Sequence, residues 1–392
     1  MRRQLRPQPS APESFETRLR PVSLDDFQSV DRPFLAPGTV VRDTYTVVEL
    51  LGSGRFADAY LVRHRYMGMQ VMKLLVDGLS DADRAQGLEE AFLLSKISHP
   101  GIVRVFDANR IGAALGAHPY ITMEYVSGGT LEAFLRDAPD GLVLDVALDF
   151  GRQIAAALGH AHDLEGGVIH RDVKPANILL EPLKGGDFAI RIGDFGLACH
   201  VERFTQVAEA GGTLLYMSPE SIRGYETAAS DVFSAGLVLY EMLTGTLPYP
   251  RRVLSETSSS FELRRSLQAL HDVGLPPPSD FNSKIPPDVD SVVMRALHVN
   301  DVFRFKSATT LAHAIAACQH VQRSGFAAGR DPDLDADIAA IFKNVSDPTL
   351  IERGIERLAS LLEQRSDLAR GFLPHLKQQR TQWHRYQRER VQ

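Results

Sequence analysis

Short runs of β-branched, aromatic and aliphatic residues alternate with turn residues from residue 45 onward. Such runs, bounded by glycine, predict strands, and the first three surround a glycine-rich turn. Ser80 is followed by acidic residues and predicts the start of a helix that runs toward Ile97. Two more apolar runs come after this helix. The predicted strands are 45–48, 59–62, 70–75, 102–106 and 120–124.

The second part of the chain has helical spacing instead. Val146, Phe150, Ile154 and Leu158 recur every four residues, which predicts an amphipathic helix with one buried face. Apolar spacing also predicts a buried central helix at 231–243 and a helix at 308–319. Prolines at 276–278 and 286–287 predict loops. A strand-rich part followed by a helix-rich part predicts an α+β fold of two lobes with a cleft between them.

Proline and glycine divide the chain into four parts. Residues 1–40 are rich in proline and arginine with little apolar periodicity, which predicts a mostly disordered leader. Residues 45–321 form the main folded body, in which order begins near Tyr45. Residues 322–335 read as a linker, and 336–392 as a short helical appendage with a basic end.

The appendage carries apolar stripes at helical spacing, of which Ile351, Ile355, Leu358 and Leu362 form one. Two short helices bury too little surface to be stable alone, so we expect them to pack on another surface. The basic end of the appendage and the acidic body favour packing on the main body. Recruitment of a partner by these helices is the alternative.

Composition and charge exclude several classes of protein. The chain has 392 residues, a formal net charge of −6 and 44% hydrophobic residues, which are ordinary values for a soluble globular protein. A nucleic-acid partner is not expected at this charge. The 2 cysteines exclude a disulfide scaffold. Because no secretory signal is visible and no apolar run reaches about 20 residues, we expect a soluble, cytoplasmic protein without membrane contact.

A glycine-rich turn at 51–57 joins the first two predicted strands. Glycines there let backbone amides approach phosphate oxygens without a Cβ in the way, although a plain hairpin turn explains them equally well. Lys73 lies in the third predicted strand, and Glu90 lies in the following helix at a distance in sequence that allows the two to pair. None of these signals is specific alone.

Two polar motifs carry the specific signal, HRDVKPAN at 170–177 and DFG at 194–196. Phosphoryl transfer needs a carboxylate to orient the attacking hydroxyl and oxygen ligands to hold magnesium against the phosphates. Asp172 suits the first task, and Asn177 and Asp194 suit the second. A polar surface loop is the alternative interpretation, and two such motifs in sequence argue against it.

With these motifs the chain resembles the eukaryotic-like (Hanks-type) serine/threonine protein kinase family, and most closely its bacterial branch. The resemblance extends over about 45–321. It implies a two-lobed kinase fold, with a small β-rich N-lobe and a larger helical C-lobe. It also implies transfer of the γ-phosphoryl group of ATP to Ser or Thr hydroxyls of proteins, including the chain itself, with ATP and Mg²⁺ as cofactors.

The resemblance assigns a role to individual positions. Implied catalytic residues are Asp172 and Lys174, implied metal ligands are Asn177 and Asp194, and Thr213 is implied to bracket the substrate hydroxyl together with Lys174. Implied nucleotide-binding residues are Leu51, Gly52, Ser53, Gly54, Arg55, Phe56, Ala57, Asp58, Ala59, Val71, Lys73, Glu90, Glu124, Val126 and Leu179. Implied supporting residues are Met123 as gatekeeper, Asp231 as the brace of the catalytic loop, and Arg304 as the partner of Glu220.

Arg171 precedes the implied catalytic aspartate, and an arginine in this position commonly needs an anion to hold it. Thr205 is the hydroxyl residue between 199 and 212, so we predict that Thr205 is autophosphorylated and that its phosphate binds Arg171. Glu202 or Glu209 is the alternative anion.

Four positions depart from the family pattern. Ala57 replaces the third loop glycine, and Ala59 replaces the valine that follows it. Val71 replaces the alanine two positions before Lys73, and Ser218 replaces the alanine before Pro219. All polar catalytic residues are present, which argues against a pseudokinase scaffold that binds nucleotide without transferring phosphate. A kinase-fold enzyme for small molecules is the other alternative, and Lys174 together with the 218–220 motif favours a protein substrate over it.

Overall fold

The computed structural model describes residues 35–53, 57–75, 95–112, 118–164, 167–195, 214–250 and 260–323. These residues form two lobes, one rich in strands and one rich in helices, as the sequence predicts. No helix among them is long and apolar enough to span a membrane.

The N-lobe is a six-stranded antiparallel sheet with the order β1-β2-β3-β4-β6-β5. The strands are β1 (Val40–Val41), β2 (Tyr45–Ser53), β3 (Ala57–His64), β4 (Gly68–Leu75), β5 (Val105–Arg110) and β6 (Pro119–Glu124). The sheet curls so that the Tyr45 hydroxyl, on β2, lies 3.4 Å from both Asp107 on β5 and Thr122 on β6. Aromatic and aliphatic side chains fill the curled interior and form a core of their own.

Ordered structure begins earlier than the sequence analysis predicts. Leu35 is only 1% exposed, and its backbone amide donates to the Tyr60 hydroxyl at 3.2 Å. Val40 and Val41 then pair with β2. The prediction of a leader that extends to residue 40 was wrong at this end, because a strand of two residues is too short to leave a pattern in the sequence. Residues 1–34 lie outside the described part of the chain.

The strand predicted at 102–106 begins later in the sequence than predicted. The structure begins β5 at Val105, while Ile102 forms a parallel bridge with Ile192 instead. The Val103 amide donates to the Ile192 carbonyl at 2.9 Å, and the Ile192 amide donates to the Gly101 carbonyl at 2.8 Å. The apolar run was recognised correctly, but its first residues pair with the C-lobe and not with the N-lobe sheet.

The C-lobe is built around two long helices and a small hairpin. The helices are α1 (Leu131–Arg136), α2 (Leu144–His162), α3 (Pro219–Ile222), α4 (Ala228–Thr244), α5 (Ser260–Val273), α6 (Pro287–Ala296) and α7 (Ala308–Arg323). The hairpin consists of β7 (Ile178–Pro182) and β8 (Phe188–Ile192). The central helix α4 is buried along nearly its whole length, as predicted. Helix α2 turns Phe150, Ile154 and Leu158 into the same core, whereas Val146, predicted on the same face, is exposed near the start of the helix.

Helices α2 and α7 approach each other closely at Gly159. A Cβ on this residue would lie 2.3 Å from the Thr309 Oγ1 and 2.7 Å from the Thr309 amide nitrogen. Glycine is therefore required by packing at this crossing and not by backbone conformation.

Four helices and one boundary differ from the predictions, and two of these helices are the short α1 and α3, which no sequence pattern predicted. The prolines at 286–287 were interpreted as a loop, but Pro287 occupies the first turn of α6, where proline is well tolerated. Helix α5 was not predicted. Helix α7 continues to Arg323 and so includes the first residues of the predicted linker. The rest of the linker and the appendage lie outside the described residues.

Candidate active site

The catalytic motif lies between α2 and β7, in a loop that ends with a 3-10 turn at Pro175–Asn177. The Asn177 amide Nδ2 donates to the Asp172 carbonyl at 2.8 Å and to the Asp172 Oδ2 at 2.9 Å. The Lys174 Nζ lies 2.8 Å from the same Oδ2. Asp172, Lys174 and Asn177 therefore form one connected cluster, in which the aspartate carboxylate is fixed from two sides.

The backbone of the catalytic loop is held by Asp231, which lies in the first turn of the buried helix α4. Its Oδ2 accepts from the His170 amide and its Oδ1 from the Arg171 amide, each at 2.7 Å. The Asp231 Oδ2 also lies 2.8 Å from the Nε2 of His162 at the end of α2. The role of Asp231 as the brace of the catalytic loop is observed directly, and His162 is a contact that the sequence did not predict.

Asp194 follows β8 and forms an ion pair with Lys73 on β4, which joins the two lobes across the cleft. Burial alone raises the pKa of the Asp194 carboxyl, but the charge and hydrogen bond of Lys73 reverse that effect. His170 and Lys174 lower the pKa further, so that it lies below its ordinary value. Asp194 is therefore ionised at neutral pH.

The backbone of Asp194 is left-handed, with φ of 58°. A non-glycine residue adopts this conformation only where its surroundings hold it. The next residue, Phe195, is buried with its ring 4.4 Å from the ring of His170, and the His170 Nε2 lies 2.8 Å from the Gly193 carbonyl oxygen. His170 of the HRDVKPAN motif thus contacts both the backbone just before the DFG motif and the phenylalanine of that motif.

The described part of the phosphate loop lies where β2 meets β3. Gly52 pairs with Ala59 and Ser53 pairs with Asp58. Ala59 in turn pairs with Lys73 on β4, so Gly52, Ala59 and Lys73 are neighbours across three strands. The Asp58 carboxylate accepts from the Tyr60 hydroxyl at 3.3 Å, so its side chain belongs to the N-lobe core.

The remaining nucleotide-pocket positions lie where the two lobes are connected. Val71 pairs with Met123 across β4 and β6, and Met123 is buried beside Asp194 and Phe195 in a small apolar pocket. Glu124 ends β6, and Val126 follows it and is buried. Leu179 lies on β7 and forms an antiparallel bridge with Thr130, which directly precedes α1.

Glu220 and Arg304 are paired, as the resemblance implies. The Arg304 side chain is fully buried, and Nη1 and Nη2 donate to the two oxygens of Glu220 at 2.5 Å and 2.7 Å. Burial alone raises the pKa of Glu220, and its bonds to Arg304 more than offset this, so the pKa is lowered. The Ser218 hydroxyl caps α3 at the start of this segment.

The structure gives Arg171 an anionic partner that the sequence analysis did not name. The Arg171 Nε lies 3.4 Å from the Glu226 Oε2, and the two side chains are 26% and 14% exposed. Glu226 follows the activation segment and directly precedes the cap of α4. The anions predicted for Arg171 were a phosphate on Thr205 or the carboxylate of Glu202 or Glu209. All three residues lie outside the described part of the chain, so their pairing with Arg171 stays a prediction.

Several further predicted positions lie outside the described residues. They are Gly54, Arg55 and Phe56 of the phosphate loop, Glu90, and Thr213. The pairing of Glu90 with Lys73 and the substrate contact of Thr213 therefore remain predictions. Leu51 and Ala57 are described and lie in β2 and β3 at the two ends of the loop.

Comparisons with known proteins show the family to which the chain belongs. A family model described as protein kinase domain matches residues 45–316. The chain is 33% identical over 284 residues to serine/threonine-protein kinase PknB of Mycobacterium tuberculosis, which covers 69% of the chain and 42% of that protein. It is 31% identical over 287 residues to the DNA damage-responsive serine/threonine-protein kinase RqkA of Deinococcus radiodurans, with 71% and 40% covered. The chain thus spans less than half the length of these relatives.

A solved structure has the same fold. The kinase domain of Mycobacterium tuberculosis PknI superposes with a TM-score of 0.56 and 27% identity, covering 73% of this chain and 99% of that domain. The region that the family model matches, 45–316, contains every described motif of the cleft. The chain belongs to the protein kinase domain family.

Proposed function

We propose that the chain is a serine/threonine protein kinase that transfers the γ-phosphoryl group of ATP to hydroxyls of protein substrates. One observation carries the proposal. The carboxylate of Asp172 is fixed by Lys174 and Asn177 on one side of the cleft, while Asp194 and Lys73 are paired across it. This arrangement supplies a hydroxyl-orienting carboxylate, metal-ligand oxygens and a phosphate-binding cation together.

The donor atoms fit a magnesium ion. Asp194 is ionised at neutral pH, and Asn177 uses its Nδ2 on Asp172, which leaves its amide oxygen for a metal. Carboxylate and amide oxygens are the hard ligands that Mg²⁺ prefers. Asn177 and Asp194 would hold the ion, and bound Mg²⁺ supplies neutralisation of charge at the phosphates.

The chain's own residues do the rest by positioning. Asp172 orients the substrate hydroxyl and accepts its proton, because its carboxylate is fixed before substrate arrives. Lys174 lies 2.8 Å from that carboxylate, and its positive charge shields the negative charge of the phosphoryl group that is transferred beside it. Lys73 and the amides of the phosphate loop orient the phosphates. Such fixed charges lower the barrier without covalent chemistry.

Phosphate transfer from γ-labelled ATP by the purified full chain tests the proposal. Labelled phosphate is expected on a generic basic protein and on the chain itself, and Asp172→Asn should reduce the rate by roughly a hundredfold or more. Asp194→Ala should abolish transfer. Asp140→Asn removes an exposed carboxylate far from the cluster in sequence and is the matched control, which should retain full activity.

The same assay distinguishes the two alternatives. Binding of ATP without transfer to any protein would support a nucleotide-binding scaffold. Transfer to small hydroxylated molecules and none to protein would support a small-molecule kinase. Substantial activity in Asp194→Ala would contradict the metal assignment.

A further inference from the structure

We propose that Glu226 is a positioning residue for catalysis, whose carboxylate holds Arg171 in place of a phosphate on the activation segment. The proposal rests on the proposed kinase function and adds a statement about its regulation. It predicts that the unphosphorylated chain has the full basal rate of phosphate transfer, and that this rate depends on Glu226.

Arg171 directly precedes Asp172, so the placement of Arg171 affects the placement of that carboxylate. Its backbone has φ of 72°, a left-handed conformation that requires support from the surroundings. Asp231 supplies part of this support by accepting from the Arg171 amide at 2.7 Å. The Arg171 Nε lies 3.4 Å from the Glu226 carboxylate, which is an ion-pair contact and not a hydrogen bond, so Glu226 acts on the side chain through charge.

Glu226 is itself held by the start of a buried helix. It directly precedes Thr227, the cap of α4, and the Thr227 amide donates to the Ser230 hydroxyl at 3.1 Å. Ser230 donates in turn to Glu220, the partner of the buried Arg304. Glu226 thus directly precedes the capped start of α4 and Asp231 lies in the first turn of that helix, and both residues contact Arg171. Both contacts come from residues outside the activation segment.

Charge explains why this pair makes a phosphate unnecessary. Arg171 and Glu226 are largely shielded from water, and a shielded guanidinium is costly without an anion. Glu226 supplies that anion permanently, since it lies outside the segment in which Thr205 occurs. A phosphate added beside Arg171 would meet a cation that is already paired and a carboxylate that repels it.

Steady-state kinetics of the full chain tests this, using γ-labelled ATP and a generic basic protein. Phosphatase-treated wild type and Thr205→Ala should both keep kcat within about twofold of untreated wild type, because no phosphate is needed. Glu226→Gln should lower kcat roughly tenfold or more, since it removes one half of a shielded ion pair. Its KM for ATP should change little, and Glu226→Asp should restore part of kcat.

A double-mutant cycle identifies Arg171 as the residue through which Glu226 acts. In an Arg171→Gln background, Glu226→Gln should cause no further loss, because the pair is already broken. Glu132→Gln is the control, since Glu132 forms an exposed ion pair with Arg136 on α1, and it should leave kcat unchanged. Independent, multiplying losses at 171 and 226 would overturn the proposal, as would full activity in Glu226→Gln.

Loss of activity on phosphatase treatment would also overturn the proposal, since it would assign the anion to a phosphate. A readout without catalysis separates this inference from the proposed function. Hydrogen exchange of the backbone amides at 170–177 should be faster in Glu226→Gln than in wild type. If wild type transfers no phosphate, the kinase function fails, and unchanged exchange in Glu226→Gln would then overturn the role of Glu226 separately.

Discussion

Arg304 and Glu220 form a bidentate ion pair in which Nη1 and Nη2 each donate to one carboxylate oxygen, at 2.5 Å and 2.7 Å. The pair joins α3, at the end of the activation segment, to the turn after α6. Arg304 also donates to three backbone carbonyls, those of His298, Ala229 and Val299. The arginine is therefore fully satisfied despite being fully buried.

Removal of either charge of this pair should be strongly destabilising. Glu220→Gln leaves the guanidinium buried without its counter-charge and should lower the free energy of unfolding by about 3 kcal/mol. Urea unfolding of the full chain measures this. Because both charges are lost together, Glu220→Gln combined with Arg304→Met should cost less than the sum of the single changes. Additive losses would show that the two residues do not act as a pair.

Asp231 should be more important for turnover than for nucleotide binding. Asp231→Asn replaces one of two acceptor oxygens by a donor, so one of the His170 and Arg171 amides loses its partner. The catalytic loop then loses its fixed position, and kcat should fall roughly tenfold or more while the Kd for ATP stays nearly constant. Asp290→Asn, which alters a carboxylate at the start of α6, is the control. Equal effects of the two changes on kcat would contradict the brace.

His271 should make the fold sensitive to mild acid. It is 1% exposed on α5, with its ring 5.3 Å from that of Phe233, and burial, aided by the charge of Arg304, lowers its pKa to about 4. Arg223 lowers this pKa too, whereas Asp272 and Glu220 partly oppose the shift.

The unfolded chain therefore takes up a proton at His271 as the pH falls below about 6.5, and the folded chain does so only near pH 4. Stability falls through this window, by about 3 kcal/mol in total from this group. His271→Gln should flatten the pH dependence of the free energy of unfolding between pH 6.5 and 4, and the exposed His313→Gln should not. An unchanged slope in His271→Gln would show that other groups are responsible.

Gly159 should not tolerate a side chain. Gly159→Ala places a Cβ against the backbone of Thr309, which cannot rotate away, so the cost should be about 1–3 kcal/mol. Gly112→Ala is the matched control, since nothing lies within 4 Å of a Cβ there. Thermal unfolding should show a clearly lower Tm for the first variant only. Equal melting temperatures would mean that α2 and α7 separate at little cost.

Local pattern predicted the two lobes and much of the core, and the period-four apolar positions predicted α2. The positions of Asp172, Asn177 and Asp194 were predicted through the resemblance that the two polar motifs carry, and the structure brings Asp172 and Asn177 into contact and pairs Asp194 with Lys73. Helix α6 was missed because a proline at the first helical turn has the same local signature as a loop. Glu226 was missed for a different reason. Its contact with Arg171 joins residues that are far apart in sequence, and nothing adjacent to Glu226 signals it.

The pairing of Ile102 with Ile192 attaches the segment before β5 to the C-lobe. Residues 101–103 are fixed to β8 by backbone hydrogen bonds, and the Glu124 amide donates to the Arg104 carbonyl at 2.9 Å where the chain crosses back. Two adjacent stretches of backbone therefore connect the lobes. Two parallel connections bend more easily about one axis than they twist, so we expect the cleft to open and close while Asp194 and Lys73 stay aligned.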